Sequence, residues 1–187
     1  MGVRSKEKTV TIRLIQSGLR YRPEVLEMLS QMPEDEAGFL RGYGKITRVN
    51  IVGFLQRLYN ASLGLYLEEW SVPSTTYWAY DGRKLVGIAR LRHELNETLE
   101  KRGGHCGYYV RPEYRGKGYA TEIMAALKEE ARRRGMKKIL LTANYDNFAS
   151  IEVIMHNGGV EGEPNGDVLR FWIDLNETEE VKNDVLE

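Results

Sequence analysis

The sequence predicts a mixed α/β fold in which a mostly antiparallel central sheet of about seven strands carries helices on both faces. Two observations support this. Short runs of alternating or continuously apolar residues alternate with longer segments whose apolar residues recur at helical spacing. In addition, Asp81-Gly82 and Asn165-Gly166 each separate two strand-like runs, as the turn of an antiparallel hairpin does. The 187 residues suffice for one domain, expected over residues 1–175.

The first part of the chain predicts one strand followed by two helices. Thr9 to Ile15 alternates and contains β-branched residues, which is typical of a strand. Tyr21 to Met32 is predicted to be a helix, because a proline suits its first turn and another follows its end. Residues 34–44 have no steady period and are predicted to form a loop. Helical spacing returns from Ile46 to Tyr59.

Three strands and a long helix are predicted next. Thr75 to Tyr80 and Lys84 to Leu91 form the first predicted hairpin. The polar segment Glu94 to Arg102 is predicted to be a loop with some helical character. His105 to Val110 is apolar and aromatic and predicts the third strand. The helix that follows is expected to end at Gly135, a residue suited to the left-handed position after a helix.

The last part of the chain predicts a buried strand, a helix and a second hairpin. Lys138 to Thr142 contains a continuous apolar run, so we expect a central strand buried on both faces. Asp146 or Asn147 can cap a further helix. The predicted inner stripe of that helix consists of Phe148, Ile151, Ile154 and Met155. The hairpin pairs Val160–Glu163 with Val168–Leu175, and the acidic tail over residues 176–187 is not expected to pack.

A glycine-containing stretch between the third predicted strand and the long helix predicts an anion site. It reads Val110-Arg-Pro-Glu-Tyr-Arg115-Gly-Lys-Gly-Tyr-Ala120. Gly116 and Gly118 permit backbone conformations that other residues resist, and they leave no Cβ in the way of a ligand. The first amides of a helix lack intrahelical acceptors and carry partial positive charge, which suits a pyrophosphate.

The stretch lacks the features of the two commonest phosphate loops. A Walker loop needs Lys followed by Ser or Thr after its last glycine, and a dinucleotide fingerprint needs three glycines. Arg115-x-x-Gly118-x-Ala120 instead resembles the acyl-CoA signature of the GCN5-related N-acetyltransferases. The order of predicted elements also resembles that family, most strongly over residues 77–175. The resemblance implies the acyl-CoA N-acyltransferase fold and acetyl-CoA as the cofactor.

The resemblance assigns the cofactor-binding residues. The strand backbone at Val110 and Arg111 corresponds to the part that binds the pantetheine arm, and Asn147 stands where a family asparagine contacts that arm. Ser150 lies one turn later on the same side of the helix and is included in the cofactor site. Capping of the last helix is the alternative role for Asn147. The loop that would bind the pyrophosphate through its amides consists of Arg115, Gly116, Lys117, Gly118, Tyr119 and Ala120.

The family's reaction implies direct attack of a neutral amine on the thioester within a ternary complex. That reaction needs a base, a donor for the oxyanion and an acid for the thiolate. His105 is the best-placed candidate base, with a satisfied histidine at a strand end as the alternative, and a strand N–H near Val110 can serve the oxyanion. Tyr108 and Tyr109 point to opposite faces of their strand, so only one can face the cofactor, and Tyr109 is the catalytic candidate.

The sequence departs from the family at Ile154, where many members have a tyrosine that protonates the leaving thiolate. Ser150, Tyr145 or a water can replace that acid, or the thiolate can leave unassisted. The departure also admits a second function, a CoA-binding regulatory or interaction module without catalysis. The acceptor amine, a small molecule or a peptide, cannot be read from the sequence.

Composition limits the partners. The 27 basic and 27 acidic residues cancel, so no nucleic-acid or membrane partner is expected. The chain has no predicted signal or membrane segment, so a cytoplasmic protein is expected, and its one cysteine excludes a disulfide scaffold within the chain. No metal site is expected, and a homodimer is left open. Carboxylates at Glu34-Asp35-Glu36 can attract a cationic amine or can be an ordinary exposed junction.

Overall fold

The computed structural model describes residues 10–34, 39–40 and 42–176. Within them lie seven strands and five α-helices. In chain order these are β1 (Ile12–Gln16), α1 (Pro23–Gln31), α2 (Ile51–Ser62), β2 (Ser74–Asp81), β3 (Lys84–Arg92), α3 (Glu97–Lys101), β4 (Cys106–Val110), α4 (Tyr119–Arg133), β5 (Lys138–Asn144), α5 (Phe148–His156), β6 (Val160–Glu161) and β7 (Val168–Asp174). The predicted acidic tail lies almost entirely outside the described residues. Asp35 and Glu36, considered above for attracting a cationic amine, also lie outside them.

The predicted fold class is confirmed, but its central sheet is divided. Strands β1-β2-β3-β4 form one sheet and β5-β7-β6 another, and every hydrogen-bonded pair of named strands is antiparallel. β5 is buried over Ile139–Leu141, as predicted. Its strand partner is β7, however, so β4 and β5 do not form a ladder together. This division creates the cleft described below.

Helices cover both faces of the strands, as predicted. On one face, α4 contributes Ile123 and Leu127 to a core that includes Phe171 of β7. On the other, Phe54 of α2 packs in a second core with Trp78 of β2. None of the helices in the described part of the chain is long and apolar enough to cross a membrane.

Local hydrogen bonds account for two differences from the predicted boundaries. α2 begins at Ile51 rather than Ile46, because the Thr47 N–H donates to Asn50 Oδ1 at 2.7 Å and closes a turn there. The polar segment after β3 contains α3, whose first turn is capped by Asn96 Oδ1 accepting from the Leu99 N–H at 3.0 Å.

The predicted inner stripe of α5 is wrong for two of its four residues. Ile154 is 2% exposed, but Phe148 is 76% exposed and Met155 is 55% exposed. Six of the nine residues of α5 are apolar and they occur on more than one side of the helix, so its periodicity does not determine which face is buried. Packing of α5 against α4 and β5 determines it instead, and the buried face runs through Ile154 toward Asn157.

Replacement of Ile154 tests its assignment as a core residue. We expect Ile154→Val to lower the free energy of unfolding by about 0.5–1.5 kcal/mol, because one buried methyl group is lost. Urea unfolding measures this change. Phe148→Leu, at an exposed position of the same helix, is the control and should change the free energy of unfolding by less than about 0.5 kcal/mol. A hundredfold loss of turnover in Ile154→Val, with the fold intact, would contradict a purely structural role.

Candidate active site

A cleft of about 680 Å³ lies between β4 and β5. β4 lines it with Cys106, Gly107 and Tyr108, and β5 with Leu141 through Asn144. Asn147 and Ser150 at the start of α5 complete one wall. The volume is within the range of small-molecule sites, about 300–1,000 Å³.

His105 connects the two strands at the beginning of β4. Its backbone N–H donates to the Leu140 carbonyl at 2.7 Å, and its Nδ1 accepts the Leu140 N–H at 2.8 Å. Glycine at position 104 permits this close approach, because a Cβ there would lie only 2.4 Å from the Leu140 carbonyl oxygen. The strands are therefore joined at His105, and beyond it they flank the cleft.

The open edge of β4 presents backbone groups to the cleft. The His105 carbonyl accepts from the Arg92 N–H at 2.7 Å, and the Arg111 N–H donates to the Val86 carbonyl at 2.9 Å. Both bonds run toward β3. Because backbone groups along a strand alternate between its two edges, those of Tyr108 and Val110 point away from β3.

The glycine stretch forms a loop that ends at the first turn of α4. Gly116 has φ +67° and Gly118 has φ +80°, a left-handed region that favours glycine. A Cβ built on either glycine would meet no heavy atom within 4 Å, so the space beside them is open. Gly118 is the N-cap residue of α4, so no side chain occupies the amides of the first turn. The first amides of α4 can therefore donate to an anion.

The side chains around these glycines hold the loop. Arg115 Nε donates to the Val110 carbonyl at 3.0 Å, and Lys117 Nζ donates to the Glu113 carbonyl at 2.7 Å. The Tyr119 hydroxyl donates to Asp81 Oδ2 at 2.8 Å.

Two further residues of the predicted cofactor site flank this loop. Arg111 pairs with Glu113 at 2.9 Å and with Glu27 at 3.4 Å, while Ala120 is half-buried against the core of α4. Arg111 thus ties the loop to α1.

Ser150 contacts Tyr108, and Asn147 lies on the same wall of the cleft. Asn147 caps α5, because its Oδ1 accepts from the Ser150 N–H at 3.1 Å. The capping role considered for Asn147 is thus present. Ser150 Oγ accepts a long hydrogen bond of 3.4 Å from the Tyr108 hydroxyl. Burial raises the pKa of Tyr108, so its hydroxyl is protonated at neutral pH.

Tyr109 occupies the opposite face of β4. It is 3% exposed and packs in the core beneath α1 and α2, with the Arg115 guanidinium 5.4 Å from its ring centre. Of the two adjacent tyrosines, the one that lines the cleft is Tyr108, which the sequence did not select. Strand alternation indicated that only one can face the cofactor, but it does not say which.

Comparison with known proteins identifies the family. Residues 48–158 match the model of the acetyltransferase (GNAT) family, which is more than half of the chain. The chain belongs to this family. The predicted family is confirmed, and membership supports the predicted class of enzyme and its acetyl-CoA donor.

Individual relatives of the GNAT chain are distant. It is 26% identical over 86 residues to N-alpha-acetyltransferase 30 of Schizosaccharomyces pombe, a match that covers 46% of the chain and 56% of that relative. The chain therefore spans just over half the length of this curated relative.

Solved structures show the same fold. The Campylobacter jejuni N-acetyltransferase PseH with acetyl coenzyme A has a TM-score of 0.56 at 11% identity, covering 87% of this chain and 98% of that one. A Salmonella typhimurium acetyl transferase that modifies the N-terminal serine of ribosomal protein L7/L12 has a TM-score of 0.59 at 14% identity, covering 89% and 96%.

The geometry around His105 favours the structural alternative for this residue in the GNAT site. Its Nδ1 lone pair is occupied by the Leu140 N–H. Burial, with a contribution from Arg92, lowers the pKa of His105 from 6.5 to about 4. Stability that depends on the neutral imidazole is therefore present above pH 6.5 and is lost as the pH falls toward 4. The catalytic role stays a prediction.

Two substitutions separate the roles of His105. We expect His105→Leu to lower the free energy of unfolding by about 1–3 kcal/mol, because the buried Leu140 N–H loses its acceptor. His105→Asn can keep a side-chain oxygen near the position of Nδ1 and should cost less. Urea unfolding and the pH profile of kcat/KM are the measurements. A hundredfold fall of kcat/KM in His105→Asn, with loss of an imidazole-like limb, would support the predicted base.

Proposed function

We propose that this chain transfers an acetyl group from acetyl-CoA to a primary amine by direct attack within a ternary complex. The observation that carries the proposal is the position of the glycine loop. The loop begins directly after β4 and ends at the first turn of α4, so it adjoins the cleft between β4 and β5. A pyrophosphate on this loop and an acyl arm in the cleft would therefore follow one another along the chain from α4 back to β4.

Backbone amides and side chains between the glycine loop and the cleft suit the successive parts of acetyl-CoA. Amides of Gly116 to Ala120 would hold the pyrophosphate, since the space beside Gly116 and Gly118 is open. The Val110 N–H points away from β3 on the open edge of β4 and would hydrogen-bond the pantetheine arm. Acetyl-CoA, when bound, supplies an acyl group activated as a thioester. Asn147 lines the same wall and can contact the arm while it caps α5.

The chemistry of Cys106 supports direct attack over a covalent enzyme intermediate. This single cysteine lines the cleft but is buried, and burial raises the pKa of its thiol to about 12. A thiol that stays protonated at neutral pH is a poor nucleophile. The acceptor amine would therefore add to the carbonyl carbon itself, and the C–S bond would break as the resulting oxyanion collapses.

Backbone and side-chain donors can stabilise the negative charges that develop on the carbonyl oxygen and on the leaving sulfur during the reaction. N–H groups of Tyr108 and Val110 on the open edge of β4 can stabilise an oxyanion. The Tyr108 hydroxyl can give its proton to the leaving thiolate, because its hydrogen bond to Ser150 is long and weak. Ser150 orients that hydroxyl. The proton released by the attacking amine leaves to solvent through the cleft.

Release of CoA thiol over a panel of amines, amino acids, polyamines and peptides tests the proposal. We expect acetyl-CoA to raise the melting temperature and at least one acceptor to release thiol. Binding without release over the whole panel would favour the regulatory module instead. Ile154 in place of the family's tyrosine is the feature that favours this second function.

A further inference from the structure

The first sheet has an open edge at β1, at the end away from the active cleft. The strand order is β1-β2-β3-β4, so among the described strands β1 pairs with β2 alone. The opposite end of this sheet is β4, which lines the cleft. The N–H and C=O groups along an open edge can pair with a strand of another molecule.

The register identifies which backbone groups of β1 point outward. The β1–β2 ladder is continuous over Ile12–Gln16, and just beyond it the Ser17 N–H donates to the Thr76 carbonyl at 2.8 Å. Backbone groups alternate between the two edges of an antiparallel strand. Because Ser17 points toward β2, the N–H and C=O groups of Ile12, Leu14 and Gln16 point away from it. Three alternate residues thus offer a pairing edge.

A groove of about 860 Å³ lies beside this edge, between β1 and α4. Ile12 and Leu14 line it from the strand, and both are only half-buried against the core. Ala125 and Ala126 line it from the helix, and their short side chains leave room above the strand. The groove therefore joins apolar surface to the outward backbone groups of β1.

Charged residues of both signs line the same groove along α4. Glu122 lies in the first turn, and Glu129 and Arg133 follow on the same side about two and about three turns later. Glu122 has no ion-pair partner among the described residues, and Arg133, although paired with Glu130, keeps a largely exposed side chain. An acidic beginning and a basic end make α4 complementary to a second α4 that runs antiparallel to it.

We propose that a second copy of this chain pairs with the β1 edge, antiparallel and about a two-fold axis. Leu14 of each copy lies at the axis and exchanges hydrogen bonds with Leu14 of the other, while Ile12 of each pairs with Gln16 of the other. The two four-stranded sheets then form one sheet of eight strands. Such a contact uses the same patch on both copies.

The charges favour a second copy over an unrelated strand. Because the paired β1 strands run antiparallel, the two α4 helices lie on the same face of the joined sheet and also run antiparallel. Glu122 of each copy then lies toward Arg133 of the other. Any extended peptide could satisfy the backbone groups of β1, but only a second copy also brings this charge pattern. The inference does not depend on the proposed function, since the cleft lies at β4.

Sedimentation velocity over a range of protein concentrations tests the inference, and we expect a reversible dimer. Gln16→Pro removes an outward N–H from an exposed position of an edge strand, where proline is tolerated. Two symmetric hydrogen bonds are lost, so the dimer Kd should rise about 5- to 150-fold. Gln16→Thr is the matched control, because it keeps the N–H and suits a strand, and it should dimerise like the wild type.

Charge reversal tests the arrangement of the helices. Glu122→Arg and Arg133→Glu should each raise the dimer Kd, because each places like charges opposite one another at two symmetric contacts. The double variant should recover most of the wild-type affinity. The two residues lie about three turns apart on one helix and cannot contact each other within a chain, so recovery requires contact between copies.

Two results would overturn the inference. One is a wild-type protein that stays monomeric at every concentration. The other is a dimer whose Kd changes neither in Gln16→Pro nor in the single charge reversals, since that dimer would use another surface. Far-UV circular dichroism checks that each variant is folded. If Gln16→Pro does not fold, the charge-reversal series decides.

Discussion

Gly118→Trp is expected to abolish the rise in melting temperature that acetyl-CoA produces. The space beside Gly118 is open, and Gly118 immediately precedes the first turn of α4. An indole ring there would fill the volume assigned to the pyrophosphate and shield the amides that donate to it. At acetyl-CoA concentrations 100 times Kd, the lost stabilisation is about 2.7 kcal/mol. Thermal unfolding with and without acetyl-CoA measures it.

Two controls separate ligand exclusion from backbone strain. Gly118→Ala carries the same strain at φ +80° but adds only a methyl group, so binding should largely persist. Gly135→Trp places a ring on an equally open left-handed glycine after the end of α4, at φ +74°, and should leave the rise unchanged. A folded Gly118→Trp protein with wild-type affinity would show that the loop does not bind the pyrophosphate.

Tyr108→Phe is expected to lower kcat by about 10²- to 10⁴-fold, the usual contribution of general acid catalysis. The substitution removes only the hydroxyl that donates to Ser150, so packing of the ring and binding of acetyl-CoA should persist. Steady-state thiol release gives kcat, and thermal shift gives acetyl-CoA binding. The loss should be smaller with acetyl donors whose thiol has a lower pKa, because a better leaving group needs less help from an acid.

Tyr109→Phe compares the adjacent tyrosine under the same conditions. Tyr109 is buried on the opposite face of β4, so its variant should not reproduce the dependence on the leaving group. A larger loss in Tyr109→Phe than in Tyr108→Phe would support the catalytic residue predicted from the sequence. It would also remove Tyr108 from the proposed mechanism.

The sequence by itself determined the parts of the protein that depend on local signals. The glycines at 116 and 118, between a strand and an amphipathic helix, predicted the loop and the family. Turn residues at Asp81-Gly82 predicted the pairing of β2 with β3, which is observed. Asn147, one of the two residues predicted as possible caps of α5, forms the cap. Each of these features is decided within a few residues, where backbone geometry and hydrogen bonding leave little choice.

Only the tertiary structure decided which side chains meet in the cleft. Alternation showed that Tyr108 and Tyr109 point in opposite directions, but packing of β4 between two cores decided which of them lines the cleft. Likewise, the apolar residues of α5 allowed several buried faces, and its contacts with α4 selected the one through Ile154. These outcomes depend on contacts between residues distant in sequence, which local pattern and spacing do not encode.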